Sequence, residues 1–169
     1  MRFAFFLFSF LIFLSPVNGQ VQVKIDSLKK IANSIPGLNG TENDTILLKT
    51  YLSLGNLYKD TKPDSAMWCF SMASDTGLLQ ETIIKFPKKA YYNASGTLNC
   101  GIIARNQGNY SLAAFYYKKS LKVFEILEDK TGINRTLNNL GLVEWNLGNY
   151  SDNFFGSLGS FGRNFKYSL

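Results

Sequence analysis

The chain of 169 residues contains no histidine. This absence excludes Ser-His-Asp and Cys-His catalysis and every metal site that needs an imidazole ligand. Acidic residues are also scarce, 12 against 18 lysines and arginines. The only clustered acids, Glu125, Glu128 and Asp129, alternate with lysines as on a solvated helix face, and nothing nearby supplies a nucleophile or a phosphate-binding loop. The sequence therefore predicts a protein that is not an enzyme and that binds no cofactor or metal.

Cysteine is almost as rare, with Cys69 and Cys100 as the two examples. In an oxidising compartment this pair permits one disulfide bond. Both residues also lie in apolar stretches with helical periodicity, where a buried free thiol is equally plausible. The sequence leaves both alternatives open.

A long hydrophobic run occurs once, from residue 3 to residue 14, directly after Arg2 and before Ser15-Pro16. Twelve residues fall short of the roughly 20 that a helix needs to span a bilayer, and small residues at 17 to 19 suit cleavage before Gln20. This pattern predicts a signal peptide, with a retained membrane anchor as the alternative. We expect an exported protein, periplasmic or extracellular, whose mature chain has no membrane span.

The mature chain keeps a modest positive charge, because loss of Arg2 lowers the formal net charge from +6 to +5. A surplus of this size, spread over many lysines, is typical of a solvated surface. We therefore expect no nucleic-acid partner.

An internal repeat appears when the sequence is shifted by 40 residues, which gives seven identities over the thirteen positions from 99 to 111. The identical residues are Asn99, Gly101, Asn106, Gly108, Asn109, Tyr110 and Ser111, matched by the same residue types at 139, 141, 146 and 148 to 151. A diverged upstream copy contains Leu54-Gly55-Asn56-Leu57-Tyr58 and Pro63-Asp64-Ser65-Ala66. It stands 46 residues before the second copy, from Gly55 to Gly101, and we expect irregular structure around Phe86-Pro87 in the six extra residues.

Each copy has the apolar period of two helices, with stripes such as Ala113, Tyr117, Leu121, Phe124 and Leu127. Gly108-Asn109 and Gly148-Asn149 predict the turns, and Ser111 or Ser151 is expected to cap the next helix. Pro63 is expected to mark the corresponding turn between the helices of the first copy. Glycines recur inside the first helices at 55, 101 and 141, which predicts close helix contact near Ala66 or Ala113.

These motifs resemble the tetratricopeptide repeat: Leu-Gly in the first helix, Gly-Asn-Tyr at the turn, and Ala113, Tyr117 and Ser120 along the second helix. The 40-residue spacing, with residues 129 to 132 ending an extended second helix, resembles the long-helix variant of kinesin light chains. More loosely, the chain is similar to the exported halves of bacterial sensor histidine kinases and regulators built on these repeats. The resemblance implies an all-α fold, a short α-solenoid of helix-turn-helix repeats after a cleaved signal peptide.

The domain organisation follows from these boundaries. Residues 1–19 are the expected signal peptide, and residues 20–43 form an N-terminal helix and loop. That helix is expected from Val23 to Ser34, to pack through Ile25, Leu28, Ile31 and Ile35, and to end at Pro36-Gly37. Residues 44–151 form about three helical hairpins, the last incomplete. Residues 152–169 are a glycine-rich tail, either truncated or frame-shifted or a natural, poorly helical end.

The resemblance also implies a peptide-binding concave face on the first helix of each copy. Its polar and aromatic positions are Lys49, Asn56, Lys59, Asn99, Arg105, Asn106, Arg135, Asn138, Asn139, Trp145 and Asn146. A row of asparagine amides offers donors and acceptors to the backbone of an extended peptide, and the cations attract acidic groups. The alternative is that these asparagines only line a polar groove or cap neighbouring helices.

Six Asn-x-Ser/Thr sequons occur, at Asn39, Asn43, Asn93, Asn109, Asn134 and Asn149. They would mean glycosylation only in a eukaryotic secretory route, and high asparagine and serine content explains them better. For function, the sequence predicts an exported protein- or peptide-binding scaffold, the sensory part of a signalling protein. The alternative is a structural or assembly adaptor of an extracytoplasmic complex.

Overall fold

A computed structural model describes residues 16–35 and 42–148. These residues form seven helices and no strand, which confirms the predicted all-α class. The helices are α1 (Pro16–Ser34), α2 (Glu42–Tyr58), α3 (Pro63–Ala73), α4 (Gln80–Lys85), α5 (Pro87–Asn106), α6 (Tyr110–Ile126) and α7 (Lys130–Asn146). None of the described helices is both long enough and apolar enough to cross a membrane.

The helices pack mainly on their neighbours in the chain. Helix α2 packs on α3, α3 on α5, α5 on α6 and α6 on α7. Contacts also join α2 to α5 and α5 to α7, so the first helices of the three predicted copies lie beside one another. The largest fully buried side chains between them are Tyr117, Phe70, Phe124, Leu48, Ile83 and Leu98.

The recurrent glycines do mark close helix contact, but the partner differs from the expected alanines. A Cβ atom added at Gly55 would overlap the ring of Phe70, and one added at Gly101 would overlap the ring of Tyr117. In the first two copies, the glycine of the first helix therefore makes room for a buried aromatic ring of the second helix. Ala66 and Ala113 are fully buried as well.

The glycine turn between α5 and α6 forms as predicted, whereas the predicted helix cap does not. Gly108 and Gly148 adopt φ values of +78° and +74°, the left-handed backbone that glycine favours at the end of a helix. The cap of α6 is Asn109, whose side chain accepts a hydrogen bond from the amide of Leu112 at 3.2 Å. The prediction that Ser111 provides this cap is wrong, because Ser111 already lies within the first turn of α6.

The expected extension of the second helix through residues 129 to 132 is also wrong. Helix α6 ends at Ile126, and Glu128 turns the chain with φ of 54°. The carboxylate of Asp129 then caps α7 by accepting a hydrogen bond from the amide of Thr131 at 3.2 Å. Gly132 thus belongs to α7, where it lies against the ring of Phe124.

Helix α1 begins at Pro16 rather than Val23, because proline is compatible with the first turn of a helix. Ile25 is buried beside Leu54 and Cys69, and Leu28 packs against the same cluster. The prediction that Ile31 contributes is wrong, since it is 40% exposed. The end of the helix at Ser34 agrees with the prediction.

Several predictions lie outside the described residues. These are the hydrophobic run at 3 to 14, Pro36-Gly37, the Asn149-Tyr150-Ser151 turn and the tail at 152–169.

The stretch with the six extra residues departs from a simple helical hairpin. Helix α3 ends at Ala73, the six-residue helix α4 follows, and Pro87 then starts α5 directly after Phe86.

Cys69 and Cys100 are free and buried. Burial raises the pKa of Cys69 to about 11 and that of Cys100 to about 12, so both thiols are protonated at neutral pH.

Candidate functional site

The predicted peptide-binding residues lie along the first helices α2, α5 and α7, with Lys59 one residue beyond the end of α2. None of them is fully buried. Asn99, Arg105 and Asn139 are half-buried, and the other eight are exposed, including Trp145 at 53%. Helical spacing therefore identified residues that share access to solvent on three neighbouring helices.

Arg105 joins two of these helices. Its Nη1 donates a hydrogen bond of 2.8 Å to Oδ1 of Asn139 on α7, and its Nη2 donates one of 3.2 Å to Oδ1 of Asn106 on α5. We call Arg105, Asn106 and Asn139 the arginine–asparagine cluster. Because two amides hold the guanidinium, its position is fixed before any ligand arrives.

The asparagine row is partly used by the protein itself. Nδ2 of Asn139 donates to the backbone oxygen of Arg135 at 2.8 Å, and Nδ2 of Asn146 donates to that of Leu142 at 2.7 Å. An amide oxygen has two lone pairs and an amide nitrogen two hydrogens, so each group keeps one further bonding position. The row therefore retains only part of the hydrogen-bonding capacity for a ligand that the sequence suggested.

The cluster does not include the first copy. No hydrogen bond or ion pair links the side chains of Lys49, Asn56 and Lys59 to other described residues. They form a separate, exposed group on the α2 end of the face. The structure thus brings together Arg105 and Asn106 of α5 with Asn139 of α7 and leaves the predicted residues of α2 apart.

The phenol of Tyr117 on α6 is fully buried, and its oxygen has no hydrogen-bond partner among the described residues. Burial raises the pKa of Tyr117 to about 12, and the positive charge of Arg105 offsets part of that effect. The phenol is therefore neutral at physiological pH and leaves the charge of Arg105 uncompensated.

Asn93 is the second buried residue with an unpartnered polar atom. Its side chain is 3% exposed on α5, and its Oδ1 accepts no hydrogen bond. It is distinct from the exposed asparagines of the face.

Two ion pairs that the sequence analysis missed hold neighbouring helices together. Lys89 on α5 contacts the carboxylate of Asp44 on α2 at 2.7 Å, and Lys118 on α6 contacts that of Glu144 on α7 at 3.1 Å. Both carboxylates are buried. Asp44 and Lys89 are 45 residues apart, and no motif signals their pairing. Their effect is to fix the spacing of the helices that display the candidate site.

The described side chains of this face offer charged and hydrogen-bonding groups. Within residues 16–35 and 42–148, no group of cysteines, aspartates and glutamates is arranged to hold a metal ion.

Comparison of the chain with family models, with curated proteins and with solved structures finds no match.

Proposed function

We propose that the chain is a tetratricopeptide-like scaffold that binds an extended acidic peptide across α2, α5 and α7. The observation that supports this best is the arginine–asparagine cluster. A guanidinium carries five N–H donors, and Arg105 uses two of them within the protein. The remaining donors, held in a fixed orientation, suit the bidentate recognition of a carboxylate.

The charges of the face support an acidic ligand. The predicted face residues include four cations and no acid, although Asp60 directly follows Lys59; the cations are Lys49, Lys59, Arg105 and Arg135. Glu144 on α7 is buried and paired with Lys118. A positive face attracts acidic segments over a distance of about 8 Å at physiological salt.

The exposed amides of Asn56 and Asn138 and the half-buried amide of Asn99 complete the proposed site. Each offers a donor and an acceptor to a peptide backbone and is indifferent to the peptide's side chains. The cations would then select acidic segments, while the amides hold their backbone. The resulting preference is for charge rather than for one particular sequence.

Export and a sensory role belong to the same proposal. The apolar run at 3 to 14 supports export, and the loose similarity to exported sensor halves supports signal transduction. Export and the sensory role rest on the sequence alone, and the proposed peptide site does not depend on either of them.

Trp145 provides a direct test, because the chain has only two tryptophans. In a Trp68→Phe background, Trp145 reports on the face alone. The probe is an extended peptide in which glutamate alternates with serine, and the control peptide has glutamine in place of glutamate. We expect the acidic peptide to change Trp145 emission and the control peptide to bind at least several-fold more weakly.

The matched variants are Arg105→Gln on the face and Lys122→Gln on α6, which remove the same charge. Arg105→Gln is expected to weaken the acidic peptide about tenfold, or about 1.4 kcal/mol, and Lys122→Gln to change little. Equal losses in both variants would show general charge attraction and contradict a site at Arg105. Equal binding of the two peptides would contradict the acidic preference.

A second candidate function is an assembly adaptor, and helix α4 favours it. Leu79 and Ile84 at this helix are 70% and 65% exposed, and Phe86 follows them at 41%. Large apolar side chains at this exposure are common at protein interfaces. Replacing Leu79 and Ile84 by serine should then abolish a purified complex and leave the Glu-peptide affinity unchanged.

A further inference from the structure

An open cleft lies where α1 crosses the α2–α3 hairpin, at the opposite end of the described helices from α7. Its volume is about 600 Å³. Sites for small molecules usually occupy ~300–1,000 Å³, so the cleft has the size of a ligand site. Its lining includes none of the residues of the proposed peptide face.

Aromatic rings form one wall of the cleft. The indole of Trp68 on α3 is 56% exposed and meets the ring of Tyr51 on α2 edge to face, with centroids 5.7 Å apart. Tyr58 at the end of α2 continues this wall. A large exposed ring that is held by a second ring is a ready surface for an apolar or aromatic group.

Opposite charges stand at the cleft without partners. Lys29 comes from α1 and Asp64 from the first turn of α3. Neither side chain makes an ion pair or a hydrogen bond with another described residue. Among the described residues, Lys29 and Asp64 therefore present an unpaired cation and an unpaired anion beside the aromatic wall of the cleft.

Cys69 and Lys29 both line the cleft. Burial raises the pKa of the Cys69 thiol to about 11, and the charge of Lys29 offsets part of the rise. The thiol is neutral at physiological pH, so it supplies no counter-charge. Lys29 is thus available to a ligand anion inside the cleft.

We propose that this cleft binds a free amino acid with an aromatic or large aliphatic side chain. Lys29 holds the α-carboxylate, Asp64 holds the α-ammonium, and the side chain lies on Trp68 and Tyr51. A zwitterion with one apolar arm matches all three features of the lining. This site does not depend on the proposed peptide face.

Binding would also fasten α1 to the hairpin. Among residues 19–34 of α1, Ile25 is the one buried apolar side chain, whereas the cleft takes Lys29 from α1 and its other wall from α2 and α3. A ligand that contacts both walls stabilises the docked position of α1. Ligand binding should therefore slow amide exchange in α1 and leave exchange in α6 unchanged.

The experiment uses the full chain with Trp145→Phe, in which Trp68 is the single tryptophan. Four probes are titrated while Trp68 emission is followed: phenylalanine, N-acetylphenylalanine, phenylalaninamide and N-acetylphenylalaninamide. They share the ring and differ in the two charges. Phenylalanine is expected to bind best, and loss of each charge to weaken binding about threefold to fivefold.

The protein variants are matched to the probes. Lys29→Gln should remove the preference for a free carboxylate and keep that for a free ammonium, and Asp64→Asn should do the reverse. Lys30→Gln and Asp60→Asn remove the same charges from exposed positions that do not line the cleft, and they should behave like the parent. Circular dichroism checks that each variant is folded.

Equal affinity for all four probes would overturn the proposal, as would unchanged Trp68 emission up to about 10 mM phenylalanine. Loss of the preferences in the control variants would overturn it too. Because Trp68 reports here and Trp145 reports on the peptide face, failure at one site is distinguishable from failure at the other.

Discussion

The α2–α3 and α5–α6 hairpins are built on the same plan and differ at the ring that faces the glycine. In the first hairpin, Gly55 receives the ring of Phe70; in the second, Gly101 receives that of Tyr117. Both rings are buried, but the hydroxyl of Tyr117 has no partner. In both hairpins the shared feature of the packing is therefore an aromatic ring against a glycine, and this contact does not need the hydroxyl.

The second helices of the two hairpins also differ in length. Helix α3 has 11 residues and is followed by the short helix α4, whereas α6 has 17 residues. The contact between glycine and ring is the same in both. Helix length is therefore free to vary beyond this contact, and it varies where six residues are added to the repeat.

Removing the rings should have the largest effect. Phe70→Ala and Tyr117→Ala each leave a large cavity, and we expect each to lower the free energy of unfolding by about 3–5 kcal/mol. The Tyr117 variant should lie at the lower end, because it also removes an unpaired buried hydroxyl. Urea unfolding followed by circular dichroism measures both, and a loss below about 1 kcal/mol in either would mean that its ring does not form this packing contact.

Filling the glycines should have a smaller effect. Gly55→Ala and Gly101→Ala gain about 0.5–1 kcal/mol of helix propensity but push a methyl group into the ring, which costs about 1–3 kcal/mol. We expect both variants to be destabilised by about 1–2 kcal/mol. In a Tyr117→Leu background the cost of Gly101→Ala should shrink, and full additivity in this double-mutant cycle would argue against direct contact.

Replacing each ring by the type found in the other hairpin should change the free energy of unfolding in opposite directions. Tyr117→Phe removes the unpaired hydroxyl and is expected to stabilise the protein by about 1 kcal/mol. Phe70→Tyr introduces a hydroxyl in the equivalent position and is expected to destabilise it by about 1–3 kcal/mol. If Tyr117→Phe is destabilising instead, the hydroxyl has a bonding partner in solution.

The smallest effect concerns alkaline pH. The pKa of Tyr117 is about 12 in the folded protein and about 10 when unfolded. Between these pH values the unfolded chain loses the phenol proton that the folded chain keeps. The contribution of this protonation to the free energy of unfolding is therefore fully present below pH 10 and is lost as pH rises through 12. Unfolding midpoints measured from pH 8 to pH 11 should fall less steeply in Tyr117→Phe than in the parent. Parallel slopes would contradict a raised pKa.

The sequence was sufficient for the fold class and for the turns, because helical periodicity and left-handed glycines are local signals. The helix limits near residue 129 were wrong, since the left-handed backbone of Glu128 is not encoded by a glycine. The role given to Ile31 was wrong because apolar spacing does not reveal which part of a helix has a neighbour.

The candidate site was predictable in part for a similar reason. Repeat spacing placed its residues on neighbouring helices with access to solvent. The hydrogen bond from Arg105 to Asn139 depends on the distance between α5 and α7, which spacing does not contain. The cleft at Trp68 joins three helices, and nothing in the repeat pattern pointed to it.

Among the three sequons whose asparagine burial the structure describes, Asn93 differs from the other two because its amide is buried. Asn93-Ala94-Ser95 lies on α5, with both Asn93 and Ala94 buried, whereas Asn109 and Asn134 are exposed. A glycan attached to Asn93 could not fit between the packed helices. If the chain is made in a host that glycosylates such sequons, a sugar at Asn93 would record that the enzyme reached the chain before α5 had packed. The glycosylated fraction at Asn93 would therefore report how slowly α5 packs, while the glycosylated fraction at Asn134 would measure only whether the enzyme was present.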